Sequence, residues 1–167
     1  MALDNKLIIL RGNSGSGKST AAKKLREASS RKIAIIEQDY IRREIFCEKD
    51  KFDNAVYIGA IKLLVEYALE KGYDVILEGI LGTRRHKPMI QELLEKCPNN
   101  YIYYFDVSLE ETVRRHETKN NKHVFGEKEM REWYKEKDLL GLPNEKVIPE
   151  SNTLEETLEM ILEETGL

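Results

Sequence analysis

Leu7-Ile8-Ile9-Leu10-Arg11-Gly12-Asn13-Ser14-Gly15-Ser16-Gly17-Lys18-Ser19-Thr20 is the stretch on which the reading of this chain turns. Its first four residues are apolar without alternation, as in a strand covered on both faces. Gly12 to Ser19 then matches G-x-x-x-x-G-K-S/T, and a helical pattern with Ala21, Ala22 and Leu25 follows. Gly12, Gly15 and Gly17 let successive N–H groups, including those of Asn13, Ser14 and Ser16, turn inward toward an anion. The helix that begins around Ser19 and Thr20 adds its own unsatisfied N–H groups and a positive dipole end. Lys18 has the reach to touch β and γ phosphates, and Ser19 offers a hydroxyl to Mg²⁺. A glycine- and serine-rich turn could match by chance, but here both flanking elements are correct. Residues 12–20 are therefore the candidate binding site for a nucleoside triphosphate, with ATP and Mg²⁺ the expected ligands.

Working outward, apolar runs alternate with helical patterns, which predicts an α/β sheet wrapped by helices. After Leu7–Leu10 come Ile33–Ile36, Val75–Leu77, Tyr101–Phe105 and a short run at Val147-Ile148. Between them, Phe52, Val56, Ala60 or Ile61, Leu64 and Tyr67 suggest one face of a helix closed by Gly72. Met89, Ile90, Leu93, Leu94 and Cys97 suggest a second, stopped by Pro98, and Leu154, Leu158, Ile161, Leu162 and Thr165 a last. Ser108 with Glu111, and Thr153 with Glu156, have the spacing of capping boxes. Lys119 to Glu127 is polar and aperiodic and is expected to be a surface loop.

The 167 residues fit one domain, 1–167, with 41% hydrophobic and 34% charged residues. The longest apolar runs are only a few residues, so no membrane span is expected. With a strand expected almost at Met1, no signal peptide is expected. Cys47 and Cys97 lack metal-ligand spacing and fit reduced thiols, so the expected location is cytoplasmic. A net charge of -3 argues against indiscriminate binding of nucleic acid or membrane. No guanine-reading N-K-x-D occurs; Asn121-Lys122-His123-Val124 lacks the aspartate. An ABC-type signature is absent too, which leaves kinase-like chemistry or nucleotide binding without chemistry.

The phosphate loop and the pattern of elements resemble the P-loop kinases that include gluconate kinases, chloramphenicol phosphotransferase, zeta toxins and the kinase domains of polynucleotide kinases. The resemblance implies a three-layer P-loop NTPase fold: a parallel five-stranded sheet of order 2-3-1-4-5, helices on both faces, and a helical lid. It also implies roles at the strand ends. Asp39, with Arg42 three residues on, matches a D-x-x-R pattern in which Asp takes the acceptor's proton and Arg holds the acceptor or a phosphate. Asp39 could instead cap the helix after it, and Arg43 could take Arg42's role. Glu78, directly after the third strand, is the candidate metal ligand beside Ser19, or an orienter of the acceptor. Arg84, Arg85, His86 and Lys87 crowd a helix start, where the dipole disfavours cations, and suggest an anion nearby.

A lid over about residues 114–133 is expected from Arg114, Arg115 and Lys119. Arg115 fits the first position of R-x-x-x-R, Lys119 replaces the second arginine, and Arg114 is the alternative phosphate ligand. Trp133 is expected in core or hinge packing, and His116 and His123 outside the chemistry. Glu150-Ser151-Asn152 falls where the resemblance places a loop beside adenine. The expected activity is transfer of the γ-phosphoryl group of ATP, with Mg²⁺, to a hydroxyl of a small acceptor. Lys18, Asp39, Arg42, Glu78 and Arg115 would be its catalytic residues. The alternatives are a polynucleotide 5′-hydroxyl kinase and a nucleotide-binding regulator with little turnover. The acidic balance makes nucleic acid the less expected partner.

Overall fold

The structure is a computed structural model that describes residues 4–48, 55–118 and 125–167. Five parallel strands form one sheet: β1 (Leu7–Gly12), β2 (Ile33–Glu37), β3 (Asp74–Gly79), β4 (Asn100–Asp106) and β5 (Glu145–Pro149). Their spatial order is β2-β3-β1-β4-β5, as the resemblance implied. Helix α1 (Lys18–Ala28) leaves the phosphate loop, and α2 (Gln38–Tyr40) runs straight into a π-helical turn, Ile41–Ile45. Then come α3 (Val56–Glu70), α4 (Thr83–Lys96), α5 (Leu109–Glu117), α6 (Glu127–Trp133) and α7 (Leu154–Thr165).

The central strands are apolar without alternation because each face has its own core. Leu7, Ile9, Val75, Leu77 and Ile102 pack against α3 and α4 through Ile61, Val65, Leu69, Ile90 and Leu93. Ile8, Leu10, Ile76, Tyr103 and Phe105 face α1 and α7 through Ala21, Leu25 and Ile161. Each such fully buried aliphatic side chain contributes roughly 1.5–3 kcal/mol. A one-residue slip of β1 would exchange the two sets, so its register is firmly set.

Three expectations need correction. The buried face of α3 is Tyr57, Ile61, Val65 and Leu69, whereas Val56, Leu64 and Tyr67 are exposed. Both stripes are apolar at helical spacing, and only the neighbouring sheet decides between them. Phe52, Lys119 and His123 lie outside the described residues, as does most of the expected loop from Lys119 to Glu127. Strand β5 is longer than Val147-Ile148 and mostly exposed; only Ile148 is buried, because β5 is an edge. Thr153 and Glu156 form a reciprocal capping box. Ser108 caps α5 through Glu111 N–H, but its own N–H donates to Glu150 at 2.9 Å. The Glu111 carboxylate is drawn away by two arginines of the next turn.

Candidate active site

The loop between β1 and α1 is held by glycines in conformations that other residues avoid: Gly12, Gly15 and Gly17 have φ of 143°, 82° and 103°. Space matters as much as φ at Gly15, where a Cβ would sit 2.6 Å from the Thr112 carbonyl of α5. The buried Lys18 ammonium donates to Asn13 O at 2.8 Å and Ser16 Oγ at 3.2 Å. The cation is thus held inside the ring of loop amides that a triphosphate would occupy. Ser19 Oγ donates to Glu78 Oε1 at 2.8 Å, which brings the two expected metal-side groups together. Glu78 is buried, and desolvation raises its pKa against the opposing pull of Lys18 and Ser19. A cation beside it would offset that burial. Among the described residues no cluster of three or more His, Cys, Asp or Glu could hold a metal alone. One carboxylate and one hydroxyl suit Mg²⁺, which keeps waters and takes phosphate oxygens.

At the end of β2, Asp39 lies within the first turn of α2, not at its cap, which removes the capping alternative. Its carboxylate is nearly half exposed and accepts from Arg42 Nη2 at 3.1 Å; Arg43 Nε lies 3.8 Å away. Beyond them opens a cavity of about 310 Å³ walled by α2 and its π-turn, α3, the loop after β3, the start of α4, and α6. Arg42, Arg43, Arg84, Arg85 and Trp133 are among its lining residues. Trp133 is therefore a wall of the site, half-buried, and not core packing; Arg43 stacks over its ring at 5.3 Å and over Phe125 at 5.6 Å.

A second cavity, about 370 Å³, opens beside the loop. Gly15, Gly17, Thr20, Arg115, Pro149 and Asn152 line it, so the expected loop after β5 does border this space. Arg115 donates to Ser16 O at 3.1 Å and is braced by Glu111 at 2.6 Å. Arg114 points elsewhere: its side chain is 68% exposed and binds Glu111 through two nitrogens. Of the two neighbours, α5 brings only Arg115 to the loop. Arg115→Ala is expected to lower kcat about 10²-fold, the scale for removing one group that stabilises transition-state charge. Arg114→Ala should stay within about twofold, because an exposed ion pair is worth little. Steady-state rates of the two variants with saturating ATP check this.

Some residues that shape the site gave little warning in the sequence. Arg11 is fully buried and ties three segments together. It donates to Leu81 O at 3.0 Å, Thr83 Oγ1 at 3.1 Å, Asp138 O at 2.9 Å and Glu145 at 2.5 Å. These bonds make the burial of its charge tolerable. Together with Gln38, whose Oε1 accepts from Leu81 N–H, they hold Leu81 at an unfavourable φ of 44°. Its sequence signal was a cation directly after the apolar run Leu7–Leu10. Asn13 uses its side-chain amide to bind the backbone of Lys135 in both directions, at 2.7 and 3.0 Å. The loop is thereby fastened to the segment after α6.

His86 is not part of the basic cluster. It is buried, with Nδ1 3.1 Å from Gly82 O and Nε2 3.1 Å from Tyr57 OH. A carbonyl can only accept, so Nδ1 carries the proton and Tyr57 donates to Nε2. Burial pushes the His86 pKa down to about 4, with nearby arginines adding to the effect. An unfolded histidine titrates near 6.5. Between those values the unfolded chain holds the extra proton, so stability falls as pH drops from 6.5 toward 4. His86→Gln should flatten that slope, as measured by urea denaturation at several pH values.

The family model described as "AAA domain" matches residues 7–142. No curated protein sequence matches the chain. In structure it is similar to the Mycobacterium tuberculosis APS kinase in complex with AMPPNP and APS, with TM-score 0.72, 16% identity, and 96% of each chain covered. A gluconokinase from Sinorhizobium meliloti 1021 gives TM-score 0.68 and 18% identity over 99% of this chain and 94% of that one. A chain of the Pnkp1/Rnl/Hen1 RNA repair complex gives TM-score 0.55 and 21% identity, over 83% of this chain and 50% of that one. The phosphate loop, the sheet order and the matched span agree: the chain belongs to this AAA-domain family and has the fold of the small P-loop kinases.

Proposed function

We propose that the protein is an ATP- and Mg²⁺-dependent phosphotransferase that moves the γ-phosphoryl group to a hydroxyl of a small acceptor. The observation that supports this most is the pairing of Asp39 with Arg42, which lines one cavity, while the phosphate loop lines a second. A nucleoside fits the side lined by Thr20 and Asn152, and an acceptor fits the side lined by Arg42 and Trp133. Phosphoryl transfer needs chiefly positioning and charge neutralisation. Lys18 and the loop amides bind and orient the phosphates, and Arg115 brings positive charge from α5, which acts as the lid. Asp39 accepts the proton of the attacking hydroxyl at a carboxylate oxygen, while Arg42 fixes the orientation of that carboxylate. Ser19 and Glu78 would hold Mg²⁺, which when bound neutralises charge on the phosphate oxygens.

The polynucleotide alternative has the similarity to a chain of the RNA repair complex in its favour. Against it stands a half-enclosed cavity sized for a small molecule rather than an extended basic groove. The proposal is tested by ATP consumption against a panel of sugars, sugar phosphates, nucleosides, nucleoside monophosphates and 5′-hydroxyl oligonucleotides. Acceptor-dependent ADP formation with a small alcohol is expected. Turnover with oligonucleotides alone would move the reading to the polynucleotide class, and unchanged background with every acceptor would contradict transferase activity.

A further inference from the structure

The acceptor cavity gathers cations in a chain of net charge -3. Among the described residues, four arginines and Lys135 line it, with Glu132 as the lining carboxylate. Asp39 lies beside Arg42 and Arg43 and compensates part of this charge. The cations come from separate segments: Arg42 and Arg43 from the π-turn, Arg84 and Arg85 from the start of α4, and Lys135 from beyond α6. Convergence from three segments is not the accident of one charged helix face. The start of α4 is also the wrong end of a helix for cations, since its dipole already presents positive charge there. Like charges gathered in a half-enclosed space repel one another, and a bound anion relieves that cost.

The geometry also limits what the anion can be. Arg43 lies over the Trp133 and Phe125 rings, which holds its guanidinium against this wall of the cavity. One carboxylate is matched by one bidentate guanidinium, whereas a phosphate has three terminal oxygens and up to two charges for several. Tyr57 and His86 form a neutral wall, with the Tyr57 hydrogen committed to His86. A volume of about 310 Å³ suits a molecule of sugar-phosphate or mononucleotide size.

We infer that the acceptor is a small phosphomonoester alcohol, whose hydroxyl faces Asp39 and whose existing phosphate is held by Arg43, Arg84 and Arg85. This rests on the phosphotransferase reading above and names the substrate class of the same site. In the reaction, the acceptor oxygen bonds to the γ phosphorus as its O–H proton passes to Asp39, and the bond from γ phosphorus to the β–γ bridging oxygen breaks. The products are ADP and a bisphosphorylated compound, so the class of reaction that supplies the substrate is one that forms a phosphomonoester.

The test uses the intact chain saturated with AMPPNP and Mg²⁺, so that the phosphate loop is already filled. Titration calorimetry then compares phosphorylated and uncharged partners: ribose 5-phosphate with ribose, and adenosine monophosphates with adenosine. At least one phosphomonoester should bind about tenfold or more tightly than its uncharged counterpart. The double variant Arg43→Ala/Arg84→Ala should lose that preference while keeping wild-type affinity for AMPPNP, which also shows that it is folded. Equal affinity for charged and uncharged partners, or a preference that survives in the double variant, would overturn the inference. So would binding of a 5′-hydroxyl oligonucleotide tighter than every phosphomonoester. Efficient transfer to an uncharged alcohol would sink this inference and leave the phosphotransferase intact, whereas failure to bind AMPPNP would sink both.

Discussion

Lys18→Ala is expected to abolish phosphoryl transfer and leave the fold in place. The ammonium lies at the centre of the loop, 2.8 Å from Asn13 O and 3.2 Å from Ser16 Oγ, where the terminal phosphates of a nucleotide would replace those contacts. Among the described residues no other lysine or arginine is held inside the loop in this way; Arg115 reaches only its rim, at Ser16 O. Loss of a group aimed at developing charge in a half-enclosed site typically costs roughly 10² to 10³ in rate, and here the group also orients the phosphates. Lys18 belongs to neither of the two apolar clusters that hold the sheet and helices together. A wild-type circular dichroism melt with turnover at background is the expected pair of results. Normal turnover by the folded variant would mean that the loop binds something other than the reacting phosphates.

Asp39→Asn is expected to reduce kcat by about 10² to 10⁴, the range for loss of a general base, with little change in ATP affinity. The amide keeps the size of the side chain and one acceptor oxygen for Arg42 while removing the charge that accepts a proton. Asp39 pairs with Arg42 of the acceptor cavity and is not among the residues lining the nucleoside cavity, which is why nucleotide binding should survive. Its carboxylate is nearly half exposed, so the lost ion pair has only a small effect on stability. Calorimetric titration with AMPPNP and steady-state rates on one preparation separate the two quantities. Weakened nucleotide binding with normal turnover of the bound complex would make Asp39 structural.

These positions could be found in the sequence because their signals are local. The loop is contiguous, its glycines are required by backbone conformation, and an apolar strand points to it. Glu78 directly follows the apolar run of β3 and Asp39 stands two residues past the end of β2, and strand ends in a parallel sheet converge on one edge. What escaped the sequence depends on orientation between distant segments. Arg114 and Arg115 are equivalent on paper; only the packing of α5 against Gly15 selects Arg115. The two apolar stripes of α3 are likewise separated only by the sheet beneath Ile61 and Val65. Arg11 and Trp133 act through partners far along the chain, Glu145 and Arg43 among them, which no spacing rule links.

The central claim is transfer to an acceptor, not hydrolysis, and a single-turnover experiment addresses it directly. Enzyme in excess over γ-labelled ATP, with Mg²⁺ and a mixture of small phosphomonoester and uncharged alcohols, is quenched over time and the labelled species are separated. The account predicts that label moves from ATP to an acid-stable organic phosphate in the wild type, and that Asp39→Asn binds the same ATP but slows that movement by orders of magnitude. Label that stays in ATP, or appears only as inorganic phosphate at equal rates in both proteins, would contradict it.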